Sequence, residues 1–263
     1  MNEGVMKMPY VVIDAGHGGY DNGAQYFGYK EKDITLRVAT KVASRLRELG
    51  FDVTMIRESD EYVGNASARG RQIAALKPNF AISIHVNSSG GNGRATGAEF
   101  IVPLGEDSAR FELKLKEEFS KLNKFRLIYS KISGGEIVER VVNADTLKYE
   151  EVYPDLRNYY GIIREAWNGG VSLDIIEMFY LDNEGDLYTF LNQEEAYVEA
   201  IVKSMAYAFN MDYRTGAQIE GVVAQDPYYR VVCGAFYDLK EAKQLQRLLK
   251  EQVTGDVWIQ EVK

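Results

Sequence analysis

Two histidines are the whole supply of that residue in this 263-residue chain. His17 stands in VVIDAGHGGYDNGA and His85 in FAISIHVN, each at the end of an apolar run and the start of a glycine-rich or polar loop. Glu177 lies in SLDIIEMFY among Ile175, Ile176, Met178 and Phe179. Two neutral imidazoles and a carboxylate form a catalytic zinc donor set that leaves a fourth position open for water. Zinc brings the pKa of such a water down to about 7. The third ligand is expected from the loop near His17. Glu31 is the best candidate, and Asp14, Asp21 and Asp33 compete with it. Hydrolysis also needs a base that takes the water proton and returns it to the leaving group. A carboxylate emerging from an apolar strand is either paired or functional, which points to Glu177, with Asp174 as the alternative. The glycines beside His17 let the backbone turn sharply and keep bulk away from a metal.

These residues can meet only if the elements before them end at one edge. Residues 11–13 stop at DAGHGG and read as a buried strand feeding a loop. In DITLRVATKVASRLRELG the apolar positions Ile34, Leu36, Val38, Val42, Leu46 and Leu49 approximate helical spacing, with Asp33 capping the start and Gly50 the end. FDVTMIRE reads as a second strand. NASARGRQIAALKP reads as a short helix with Asn65 as N-cap and Pro78 as its stop. FAISIHVN is apolar almost throughout, as in a strand buried on both faces. This order predicts a parallel sheet with covering helices, whose ligand site forms at the carboxyl ends of the strands. AEFIVP and VSLDIIEMFY read as further strands, EDSARFELKLKEEFSKLN as an amphipathic helix and NQEEAYVEAIVKSMAYAFN as a long closing helix. Residues 125–155 show no clear period.

The expected fold class is therefore α/β: an open, mostly parallel twisted sheet covered by helices, over residues 8–211. Residues 212–227 read as a linker. Residues 228–263 read as one small β-α-β unit, too short to bury a stable core alone, which must dock or pair with a copy of itself. At 46% hydrophobic residues the chain can build a globular core. A net charge of −8 argues against nucleic acid. No apolar run approaches the roughly 20 residues of a membrane span, so no membrane insertion is expected. The single cysteine, Cys233, leaves no second thiol for a disulfide within the chain and reads as a small buried apolar residue. MNEGVMKMPY lacks a basic region followed by an apolar stretch. Synthesis in the cytoplasm without a classical signal peptide, and release by another route, is the expectation.

VVIDAGHGGYDNGA, KEKD, FAISIHVNSS and IIEMFYLDNEGD occur in an order that resembles four signature stretches of the zinc-dependent N-acetylmuramoyl-L-alanine amidases, the family of bacterial autolysins and phage endolysins. The resemblance covers most of residues 10–210. It implies that His17, Glu31 and His85 bind Zn2+ and that Glu177 is the catalytic acid/base. It implies cleavage of the amide between the lactyl group of N-acetylmuramic acid and L-alanine in bacterial peptidoglycan. The alternatives are a zinc peptidase or deacetylase acting on another cell-wall amide, and a non-catalytic wall-binding protein. RESDEYVGNASARGRQIAAL resembles the family's second strand and following helix, with Arg57 and Arg71 at its arginine positions, expected to be structural ion-pairing residues. Three positions depart from the pattern. Phe179 stands where a small residue is usual, Leu76 stands where an Asn is common, and residues 131–155 have no clear counterpart and are expected to shape the groove. The tail is similar to half of a SPOR-type peptidoglycan-binding domain, which implies a homodimer through residues 228–263, with a plain dimerisation tail as the alternative.

Overall fold

The apolar run before His17 forms β1 (Tyr10–Ala15), in which every residue after Tyr10 is buried. The loop beyond it carries a short hairpin, β2 (Gln25–Tyr26) and β3 (Tyr29–Lys30), and runs directly into α1 (Glu31–Glu48). β4 (Asp52–Met55), α2 (Ala66–Leu76) and β5 (Phe80–Asn87) follow. Next come β6 (Ala98–Ile101), α3 (Arg110–Phe119), β7 (Phe125–Lys131), β8 (Ile137–Glu139), β9 (Val142–Asn143) and β10 (Lys148–Tyr149). α4 (Gly161–Asn168), β11 (Leu173–Tyr180) and α5 (Glu184–Ala208) complete the fold. This computed structural model describes residues 8–143 and 145–215. They belong to the first of two units into which the chain divides, Met1–Ile219. The expected β-α-β unit, Cys233, the SPOR likeness and the dimer contact lie outside the described residues, as does most of the expected linker.

The sheet runs β4-β1-β5-β11-β6-β7-β8. β4, β1, β5 and β11 are mutually parallel, so the ends of β1, β5 and β11 fall on one edge. β6 joins antiparallel to β11, β7 pairs parallel with β6, and β8 closes antiparallel to β7. The sheet is thus mostly parallel, but AEFIVP runs against its neighbour. α1, α3 and α5 bury Val38, Leu115, Ile201 and others on one face, while α2 and α4 bury Ile73, Ile162 and Ile163 on the other. Each such side chain contributes about 1.5–3 kcal/mol by leaving water.

Helix ends differ instructively from the expectations. α1 begins at Glu31, not after an Asp33 cap; Lys30 holds the cap position and offers no side-chain hydrogen bond. Asp33 lies in the first turn, where its charge favours the positive end of the helix. Asn65 does cap α2, accepting the Ala68 N–H at 2.9 Å, and Lys77 turns left-handed before Pro78 ends the helix. α5 starts eight residues before the expected NQEEAY stretch, because Asn183 caps it by accepting the Asp186 N–H. A non-helical Gln193 divides it near the expected start. Among the described residues no helix is long and apolar enough to cross a membrane.

Candidate metal centre

The loop after β1 is shaped by what it must approach. His17 takes a left-handed conformation, φ 61°. A Cβ on Gly16 would fall 2.4 Å from the His85 ring. A Cβ on Gly23, itself at φ 63°, would fall 2.5 Å from the Glu31 carboxylate and 2.6 Å from His17. Only glycine lets the backbone pass that close to these side chains. Beneath the loop, Arg57 donates to the carbonyls of Gly16, Lys32 and Ser59 at 3.0 Å and of Ala15 at 3.2 Å. Arg69 donates to the carbonyls of Ala15 and His17 and to Asp14 Oδ1 at 2.7 Å. Asp14 also accepts from the Ser83 hydroxyl at 2.7 Å.

These contacts correct one expectation. Arg57 holds carbonyls rather than an acid. Arg71 is largely exposed and lies 3.7 Å from Glu165, a loose surface pair. The buried ion pair belongs to Arg69 and Asp14 instead.

His17, Glu31 and His85 each offer a ligand atom, and these atoms lie within 4.8 Å of one another. His17 Nε2 is 3.1 Å from Glu31 Oε2. His85 Nδ1 is 2.9 Å from Glu31 Oε1. The two imidazoles meet edge to face with centroids 5.1 Å apart. Glu31 is 4% exposed and is oriented by the backbone N–H groups of Ala24 (2.9 Å) and Val86 (3.2 Å). Its competitors do other things. Asp14 is consumed by Arg69, Asp21 lies 3.0 Å from the far His17 nitrogen, Nδ1, and Asp33 is exposed on α1. The donor set of two imidazoles and one carboxylate fits a zinc-type ion. Burial raises the Glu31 pKa, but His17 and His85 outweigh it and hold the carboxyl well below the usual range. Burial lowers His85, and the Glu31 hydrogen bond with the Glu177 and Glu31 charges reverses this, raising it to about 9.

Glu177 sits beside this cluster, opposite His85 on β5 and Glu99 on β6. Its Oε2 is buried with no hydrogen-bond partner among the described residues. Burial pushes its pKa up to about 7; the Glu31 and Glu99 charges add to the rise and His85 opposes it. Asp174, the alternative, points to the other face of β11 by strand alternation and packs against Glu112 of α3. A register shift after Glu177 marks a bulge, a device common beside active sites. It lets Phe179 stack on Phe190 under the helices, 4.6 Å between centroids, so the bulky residue stays out of the groove.

Sequence reasoning missed the residues beyond β11. Glu99 accepts from Asn87 Nδ2 (3.0 Å), the Tyr129 hydroxyl (3.0 Å) and the Tyr180 hydroxyl (2.7 Å), and Arg126 lies 3.3 Å away. With Glu177, Lys131 and Tyr160, Arg126 and Tyr129 line a cavity of about 330 Å3. The single acid inside AEFIVP was a usable signal for Glu99. Arg126, Tyr129 and Lys131 lay in the segment without a period.

An open α/β sheet carries the His–Glu–His cluster at its carboxyl edge, and the same fold is found in a solved structure. The fold matches the catalytic domain of CwlV, an N-acetylmuramoyl-L-alanine amidase from Bacillus (Paenibacillus) polymyxa var. colistinus, with a TM-score of 0.59 at 24% identity, over 78% of this chain and 100% of that one. Residues 11–209 match the N-acetylmuramoyl-L-alanine amidase family, and the chain belongs to that family. It is similar to the endolysin of Bacillus phage SPP1, 41% identical over 88 residues, 33% of this chain and 32% of the endolysin. It is equally similar to the sporulation-specific N-acetylmuramoyl-L-alanine amidase of Bacillus subtilis (strain 168), 41% identical over 90 residues, 33% of this chain and 34% of the amidase. The matched stretch thus spans about a third of the length of these two relatives.

Proposed function

We propose that the protein is a peptidoglycan hydrolase of the bacterial cell wall, cleaving the amide between N-acetylmuramic acid and L-alanine with zinc as its cofactor. The observation that supports this best is the convergence of His17, Glu31 and His85 with a buried, unpartnered Glu177 oxygen on the adjoining strand. Family membership over residues 11–209 supports the substrate class.

In this reading His17, Glu31 and His85 would hold the zinc ion. When bound, zinc supplies Lewis-acid polarisation of the scissile carbonyl and makes water ionisable near neutral pH. Glu177 takes a proton from the attacking water. As the carbon–nitrogen bond breaks and the carbon–oxygen bond forms, it passes that proton to the departing alanine nitrogen. A carboxyl near pH 7 is matched to both transfers. The products are a lactyl carboxylate and a stem peptide with a free amino terminus.

Incubation with purified peptidoglycan tests the assignment. New L-alanine amino groups are expected. New amino-sugar amines would instead identify a deacetylase, and wall binding with no cleavage a binding protein. Elemental analysis should find zinc in the wild type and little in His17→Ala; full activity of metal-free protein in chelator would overturn the zinc role.

A further inference from the structure

The cavity beside Glu177, which Glu99 also lines, holds a cation that is in no ion pair among the described residues. Lys131 closes β7 and is half-buried. Its ammonium lies over the rings of Tyr160 (5.3 Å) and Tyr159 (5.9 Å), and among the described residues no carboxylate comes within ion-pair distance. The Tyr159 N–H donates to the Lys131 carbonyl at 2.7 Å, which ties the aromatic pair to the strand that carries the lysine. The ammonium is therefore oriented on π faces, an attraction of about 0.5–2 kcal/mol that leaves its charge unneutralised. Arg126 in the same cavity is different, because Glu99 lies 3.3 Å from it.

The positive character continues outward. Arg126 also lines a neighbouring groove of about 560 Å3 with Arg94, Lys116 and Lys124, and no acid lines it. Among the described residues none of these last three is in an ion pair. On a chain of net charge −8, this flank over β6 and β7 is positive against the trend.

If the scissile amide sits at Glu177, the substrate has two arms. The lactyl carboxyl of the sugar is already tied up in that amide, so the muramic acid arm carries no free carboxylate there. The stem peptide does carry free carboxylates. Resting on the function proposed above, we infer that the peptide arm lies over β6 and β7 and that Lys131 is the specificity-determining cation that receives one of its carboxylates.

The test uses soluble muropeptides that differ only in amidation of the carboxylate on the second or the third stem-peptide residue. Wild type should cleave the free acid at one of these positions with a kcat/KM about tenfold above its amide, the effect of one charge-assisted hydrogen bond in a partly solvated groove. Lys131→Met should bring that acid-to-amide ratio close to one, and Lys131→Arg should retain most of it. Which position shows the preference identifies the carboxylate. A wild type indifferent to amidation at both positions, or a Lys131→Met protein with the full preference, overturns the inference while leaving the amidase reading intact. A purely structural lysine would slow acid and amide equally, which also overturns it. Failure of wild type to release L-alanine amino groups from any of the muropeptides overturns the amidase reading and this inference with it.

Discussion

Glu177 combines features that a merely structural carboxyl would avoid. One oxygen is buried without a partner, and its neighbours across both ladders are His85 and another glutamate. An unpaired buried polar group costs about 1–3 kcal/mol, so such a residue weakens the fold in order to remain reactive. Glu177→Gln should therefore lower kcat by about 10²–10⁴-fold while the melting temperature holds or rises. L-alanine release and a thermal melt on the same preparation check this, and a collapsed melting temperature would recast Glu177 as a structural residue. Arg69 shows the opposite logic. Its guanidinium joins β1 to α2 through Asp14, which is wholly buried. Arg69→Met leaves that carboxylate uncompensated, with an expected loss of about 3–5 kcal/mol by chemical denaturation. Arg71→Met, on the same helix but largely exposed, should change stability by less than about 0.5 kcal/mol. The sequence could not separate the two arginines. Two residues apart in one helix, they differ only in whether Asp14, 55 positions from Arg69, lies within reach.

At the scale of elements, legibility followed burial. β1, β5 and β11 were readable because both of their faces are covered, so nearly every position is apolar whatever its neighbour. The direction of β6 was not, because antiparallel pairing is a property of the partner strand and leaves no mark in AEFI. β8 to β10 are only two or three residues each and partly exposed, and β7 lies near the sheet's edge with Arg126 exposed, so neither period nor composition announces them. Of the site, His17, His85 and Glu177 stood out as polar residues at the ends of such strands or within them. Glu31 lies on a helix whose start was misread, and only the family resemblance singled it out. One packing feature gives a pH prediction. Asp174 of β11 and Glu112 of α3 are both almost wholly buried, with Tyr149 close to them and Arg140 4.1 Å above the Tyr149 ring. Burial pushes Glu112 up to about 7 and Asp174 well above its ordinary value. An acid whose folded pKa exceeds its unfolded one holds its proton more tightly when folded. Its stabilising contribution is complete below about 4.5 and is lost as pH rises through about 7. Glu112→Gln removes that loss, so it should stabilise the protein by about 1–3 kcal/mol at pH 8 and change little at pH 4.5. Urea titrations at the two pH values check the difference.

For the whole molecule, the described fold places chemistry on one edge of the sheet and charge on one flank of that edge. Net charge alone concealed this, since −8 is an average that hides the basic surface over β6 and β7. The entry of α1 at Glu31 has a wider consequence. The same carboxylate opens the helix, packs against both imidazoles and accepts from Ala24 before the helix and Val86 on β5. An ion bound there would bridge β1, α1 and β5 at once. A ligand that binds only the native state stabilises it by mass action, by about 2.7 kcal/mol at a free concentration one hundred times its Kd. For a domain of this size that corresponds to a rise of about 5–10 °C in Tm. Scanning calorimetry with stepwise zinc should show that rise, chelator should remove it, and Glu31→Gln should blunt it. The melting temperature then becomes a gauge of metal loading that needs no substrate, and under the proposed function the protein's thermal lifetime becomes a function of the zinc around it.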